Sequence, residues 1–141
     1  MQSRLSLLTL LALALLCLTA LSATVERHRV TNPTTGVELF VQVARPQVAA
    51  ASSPALVLVP GGRGDSSGFF ESRAGASDAE LLAEHGFVVV AFDPDGRGQS
   101  GGVEDDNGFA HQDGLAAVIR FVASEAASYL MGEIVTVSGG L

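Results

Sequence analysis

Three short stretches, Pro60–Gly64, Asp93–Ser100 and Thr136–Gly140, combine glycine with polar residues, and each follows directly on an apolar run. Glycine tolerates backbone angles closed to other residues, so Pro60-Gly61-Gly62-Arg63-Gly64 can turn its N–H groups toward a bound oxygen. In the third stretch Ser138 precedes Gly139 and Gly140, where a sharp turn out of a strand would expose its hydroxyl. The second contains Gly96-Arg97-Gly98-Gln99-Ser100-Gly101, which matches G-x-G-x-x-G. A dinucleotide site needs a helix to begin within such a loop, with its N-terminus facing the pyrophosphate. Here Gly102–Gly108 follows, carrying the run Glu104-Asp105-Asp106, whose charge would repel a pyrophosphate. That run lacks the spacing of an EF-hand calcium loop and reads as a solvated acidic loop. Arg63-Gly64-Asp65 spells an adhesion tripeptide, which chance accounts for in a glycine-rich turn.

Composition removes other chemistries. The 141 residues carry a net charge of −7, and all eight Lys/Arg cations are arginine. An acidic chain without a basic patch argues against nucleic acid as a partner. Without lysine there is no P-loop phosphate chemistry and no Schiff base. Cys17 is the single cysteine, so the chain forms no internal disulfide and no cysteine-ligated metal site. No metal and no cofactor is expected, and the partner to expect is a small-molecule substrate. The histidines His28, His85 and His111 all precede Ser138: the first in an outer hairpin, the second at a helix C-terminus, the third at the start of a helix.

The elements that must position these loops follow from periodicity. Val25–Thr31 and Val37–Arg45 are strand-like, and Asn32-Pro33-Thr34-Thr35-Gly36 between them is a turn cluster, giving a β-hairpin. In its second arm Val37, Leu39, Val41 and Val43 alternate with Glu38, Phe40, Gln42 and Ala44, a period of two with one apolar face. Pro46–Pro54 is a small-residue connector. Ala55–Val59, Phe87–Phe92 and Ile134–Val137 are continuous apolar runs, the mark of strands buried on both faces. Ser77 and Glu80 form a capping box that opens a helix ending at His85, with Gly86 as the C′ residue. Leu115, Val118, Ile119, Val122 and Ala126 share one face of a later helix. Strand–helix–strand–helix–strand of this kind predicts an α/β domain with a parallel sheet.

The first 22 residues form a separate unit. No charged residue occurs from Leu5 to Val25, Arg4 supplies a positive start, and Ala20 and Ser22 stand at −3 and −1 of a cleavage after Ser22. This is the pattern of a secretory signal peptide, with an uncleaved membrane anchor as the rival, since roughly 20 apolar residues span a bilayer. Either implies an extracytoplasmic protein, secreted or periplasmic or anchored in a membrane.

Taken in order, the three loops resemble the α/β-hydrolase family over about residues 25–141. Val137-Ser138-Gly139-Gly140 is similar to its G-x-S-x-G nucleophile elbow, with Thr136 in place of the upstream glycine. Pro60-Gly61-Gly62 is similar to its oxyanion loop, with proline in the histidine place. Asp93, Gly96, Gly98 and Ser100 match its D-x-x-G-x-G-x-S segment, although the arginine often found two after the aspartate is Asp95. Asp113, leading the helix before the elbow, also fits. The resemblance implies that the chain holds the N-terminal part of the fold. Its leading hairpin would supply the first two strands, antiparallel to the rest. It further implies an ester or related acyl bond as substrate and Ser138 as nucleophile. The oxyanion hole would use the N–H of Gly139 with one from Gly62 or Arg63. The family's acid and histidine follow the serine, and three residues follow Ser138 here, so the expectation is a fragment of a longer chain. The alternative is a non-catalytic hydrolase-like binding domain or an inactive truncated product.

Overall fold

A computed structural model of the chain describes residues 23–48, 53–72, 75–124 and 134–138. The N-terminal address and the middle of the Pro46–Pro54 connector lie outside the described residues. The elements are β1 (Thr24–Thr31), β2 (Glu38–Arg45), β3 (Ala55–Val59), α1 (Ser67–Phe70), α2 (Asp78–Glu84), β4 (Val88–Phe92), α3 (Phe109–Ala123) and β5 (Ile134–Ser138). Among the described residues no helix is long and apolar enough to cross a membrane.

The hairpin forms where its turn residues place it. Gly36 takes φ +71°, a left-handed angle that favours glycine, and its N–H donates to the Asn32 carbonyl at 2.8 Å. Asn32 is buried, and its side-chain oxygen receives the Thr34 N–H at 3.1 Å, fixing the turn from inside.

The strands form one sheet in the order β1-β2-β4-β3-β5. β2 is antiparallel to both β1 and β4, whereas β3 is parallel to β4 and to β5. Only β2 therefore runs against the sheet. The arms of a hairpin must oppose one another, so β1 shares the direction of β3, β4 and β5, which corrects the expectation that both arms oppose the rest. β2 is also an interior strand: Phe40, Gln42 and Ala44 are buried along with Leu39, Val41 and Val43. Its alternation suggested one wet face, but both faces are covered.

The order β4-β3-β5 explains the layering. The chain leaves β3 for β4 on one side, then returns past β3 to β5 on the other. Right-handed crossovers in opposite directions put their helices on opposite faces. Accordingly Ala79 and Ala83 of α2 pack with Ala44, Leu58, Val89 and Ala91. On the opposite face Val118 and Val122 of α3 pack with Leu39, Val41, Val57, Val90 and Phe92.

The capping box of α2 is complete: Ser77 Oγ accepts the Glu80 N–H at 3.2 Å, and Glu80 accepts the Ser77 N–H at 2.8 Å. That backbone bond holds the Glu80 carboxyl below its ordinary range. His85 is the C-cap, and Gly86 follows at φ +94°. Two features differ from the sequence expectation. The short α1 carries Phe69 and Phe70 against the α2 face, and a single helical turn has no periodicity to reveal it. α3 begins at Phe109, so Asp113 lies in its second turn rather than leading it, and Ala126 falls outside the described residues.

Candidate active site

The chain leaves β3 and β4 toward opposite faces of the sheet, and a crevice lined by Val59, Pro60, Phe92, Pro94, His111 and Leu115 opens at their carboxyl ends, where open α/β sheets bind their ligands. β3 delivers the loop Pro60–Gly64 to this crevice. In the parallel register Ser138 pairs with Val59, so the last residue of β5 lies beside the last residue of β3. The candidate nucleophile and the candidate oxyanion loop thus arise from adjacent strand ends. Gly139 lies outside the described residues.

The oxyanion loop is a tight turn. The Gly64 N–H donates to the Gly61 carbonyl at 3.0 Å, which leaves Gly62 and Arg63 as the central residues. Gly62 takes φ +55°, and nothing lies within 4 Å of the place a Cβ would occupy. Both central residues are exposed, and the Arg63 guanidinium reaches the exposed Asp106 carboxylate at 3.2 Å. Their backbone groups are therefore open to a ligand.

A buried polar network fastens the end of this loop to the segment after β4. Asp93, 2% exposed, accepts the Ser66 N–H at 2.8 Å and the Ser66 hydroxyl at 2.5 Å through Oδ1. Its Oδ2 accepts the Gln99 N–H at 2.6 Å. Gln42, on the face of β2 that the alternation marked as polar, donates to Ser66 Oγ at 3.0 Å. Ser100 donates to the Asp93 carbonyl at 2.6 Å and accepts the Phe40 N–H at 2.8 Å. Three donors on one carboxylate satisfy a charge that burial would otherwise make costly. Gly98, at φ +49°, is required here because a Cβ would collide with the Asp93 carboxylate.

Asp95 belongs to a second knot. It is 1% exposed and accepts from Asn32 Nδ2 at 2.8 Å and from Thr35 Oγ1 at 2.5 Å, tying the hairpin turn to the β4 loop. Asp113 accepts from Thr34 Oγ1 at 2.6 Å and extends the same tie.

The acidic run is not a solvated loop. Glu104 forms an ion pair with Arg97 through both carboxylate oxygens, and the Arg97 side chain is 3% exposed. The hydrogen bond from Arg97 holds the Glu104 carboxyl down at about 2, with the Asp106 N–H adding to it and burial opposing. Asp105 accepts the N–H groups of Gly108 at 3.1 Å and Ala110 at 2.8 Å, so it caps α3 from outside the N-cap position. Asp106 is the exposed member. The run is internal scaffolding because a buried guanidinium and a helix end both need anionic partners.

His111 joins this scaffold. Its Nδ1 accepts the Asn107 N–H at 3.1 Å, which leaves the proton on Nε2. Nε2 faces the Asp95 carbonyl at 3.2 Å and the carboxylates of Asp105 and Glu104 at 3.3 and 3.4 Å. Ligand atoms of Glu104, Asp105 and His111 come within 4.8 Å of one another. A cation there would need the imidazole nitrogen that carries the hydrogen, so the trio suits a hydrogen-bonded knot better than a metal site. His28 pairs with Glu26 at 3.2 Å and packs its ring against Phe121, and His85 caps α2. Of the three, His111 lines the crevice, and both its ring nitrogens are engaged. Sequence reading passed over Ser66, Gln42 and Arg97. Arg97, bracketed by Gly96 and Gly98 and followed closely by acids, carried the clearest signal.

Fold and site define the class: an α/β-hydrolase domain with its first five strands in the order described. The model of the X-Pro dipeptidyl-peptidase (S15 family) matches residues 35–136, and the chain belongs to that family. Among solved structures, Est1E from Butyrivibrio proteoclasticus with ferulic acid bound is similar, with TM-score 0.64 and 21% identity over 79% of this chain and 41% of that one. A hypothetical protein from Pseudomonas aeruginosa superposes with TM-score 0.62 and 21% identity, covering 83% and 36% of the two chains. An α/β serine hydrolase homologue from Coxiella burnetii gives TM-score 0.53 and 25% identity, covering 79% and 50%. The chain thus spans half or less of each of these proteins. No curated protein matches it.

Proposed function

We propose that this chain carries the nucleophile and oxyanion half of an exported serine hydrolase that cleaves an ester or related acyl bond of a small molecule. The observation that carries this reading is the register of Ser138 with Val59, directly before the Pro60–Gly64 turn, in a chain of the S15 family. Ser138 is the nucleophile, and the N–H groups of Gly139 and of Gly62 or Arg63 receive the oxyanion. Neither His111 nor His28 is free to act as the base, which agrees with a base supplied from beyond Ser138, the chain order of this fold. Export rests on the uncharged Leu5–Val25 run and its Ala20/Ser22 cleavage pattern.

The test is Ser138→Ala in the full-length protein. Labelling by a fluorophosphonate probe should vanish, and hydrolysis should fall about a thousandfold or more, since nucleophile and base act as one unit. The melting temperature should barely move, because removing a single hydroxyl at a strand end contributes within about 1 kcal/mol. Retained labelling together with retained hydrolysis would place the nucleophile elsewhere.

A further inference from the structure

We infer that Arg97 is a positioning residue that holds the Gly61–Gly64 turn in the shape needed to receive an oxyanion; the catalytic part of this inference rests on the proposed function. The turn cannot hold itself. Three of its four residues are glycine, the fourth side chain is exposed, and a glycine backbone loses more freedom on ordering than any other. Its one internal bond is Gly64 N–H to Gly61 O. Among the described residues the remaining grip on its backbone comes from Arg97, whose Nη1 donates to the Gly64 carbonyl at 3.3 Å.

The guanidinium is itself fixed on every side. Nη2 donates to Glu104 Oε1 at 2.8 Å and to Asn107 Oδ1 at 3.2 Å, and Nε donates to Glu104 Oε2. Its backbone root stands between Gly96 at φ +73° and Gly98 at φ +49°, both hemmed in by neighbouring atoms. One edge of the planar fork therefore grips a carboxylate while the other presents an N–H to the turn. A lysine ammonium, a point charge on a flexible stem, cannot span both. Glu104, held ionised to about pH 2, keeps the fork oriented throughout the range in which a hydrolase works.

The experiment compares Arg97→Met, Arg97→Lys and the double variant Arg97→Met/Glu104→Gln with the parent full-length enzyme. kcat should drop on the order of 10- to 100-fold, the cost of misplacing a catalytic group by about an ångström. KM should stay within about threefold, because the oxyanion forms only in the transition state. Arg97→Lys should not restore kcat. Hydrogen exchange at the Gly64 amide, the bonded N–H of the turn, should quicken while the β4 amides keep their protection. If Arg97→Met alone fails to fold, the double variant, which leaves no unpaired carboxylate, gives the same reading. An unchanged kcat, a loss confined to KM, or full rescue by lysine would overturn the inference. Should Ser138 prove not to be the nucleophile, the exchange measurement still decides whether Arg97 holds the turn, so the two failures stay separate.

Discussion

The loop after β3 and the loop after β4 leave the same end of the sheet, and both are rich in glycine, yet they are built in opposite ways. The β4 loop is cross-linked by its own side chains: Asp93, Asp95, Arg97 and Ser100 each bond to another part of the molecule. Its glycines are there because their Cβ space is taken, by the Asp93 carboxylate at Gly98 and by the Glu104 backbone at Gly96. The β3 loop has no inward side chain between Gly61 and Gly64, and Gly62 faces open space. In one loop glycine makes room for protein atoms, and in the other it leaves open space. Loops that carry function are usually set on a rigid support, and here the support is a neighbouring loop.

The sharpest way to break this contrast is to remove the centre of the β4 network. Asp93→Ala strips the acceptor from the buried Ser66 N–H and hydroxyl and from the Gln99 N–H, and should cost about 3–4 kcal/mol in denaturant unfolding. A loss below about 1 kcal/mol would mean the network is ornamental.

The same substitution made in both loops then separates steric need from backbone need. Gly98→Ala combines a left-handed φ with a collision against Asp93 and should cost about 2–3 kcal/mol. Gly62→Ala has the same left-handed φ but open space, and should cost only about 1 kcal/mol. Paired urea melts measure the difference, and equal losses would refute the idea that the two loops use glycine for different reasons.

These residues also show what the sequence could reveal. The three parallel strands were legible because each is a continuous apolar run, and α2 because Ser77, Glu80 and Gly86 mark its ends by local chemistry. The outline of the candidate site was legible because its glycine-rich loops come just after those strands. The supports were not. Gln42 looked like the wet face of a half-buried strand until β4 covered it, and Glu104 looked solvated until Arg97 was seen to be buried. Both depend on a partner that is distant in the chain or folded back by an irregular loop, and neither arrangement leaves a periodic trace. Asp105 likewise caps α3 from a non-helical position, so the sequence placed the helix start near His111 without showing the cap that sets it at Phe109.

The smallest expected effect concerns the link between the two loops, and its sign follows from protonation. The Glu104 carboxyl sits at about 2 in the folded protein against 4.5 for an ordinary glutamate. Below 4.5 the unfolded chain takes up a proton at this position while the folded protein does not, so stability falls with falling pH in that window. Above it the contribution is fully present. Glu104→Gln removes the ionisable group, so the parent should melt a few degrees higher than the variant near neutral pH. That gap should hold steady down to about pH 5, narrow as the pH falls further, and be nearly closed by about pH 2. Because one side of the carboxylate still meets solvent, the neutral-pH gap should stay smaller than the loss from Asp93→Ala. Melting both proteins across this range checks the ordering. A gap that stays constant to about pH 2.5, or widens, would show that Arg97 does not depend on the Glu104 charge, and the support of the turn would then fall to Asn107 and the glycine-locked backbone alone.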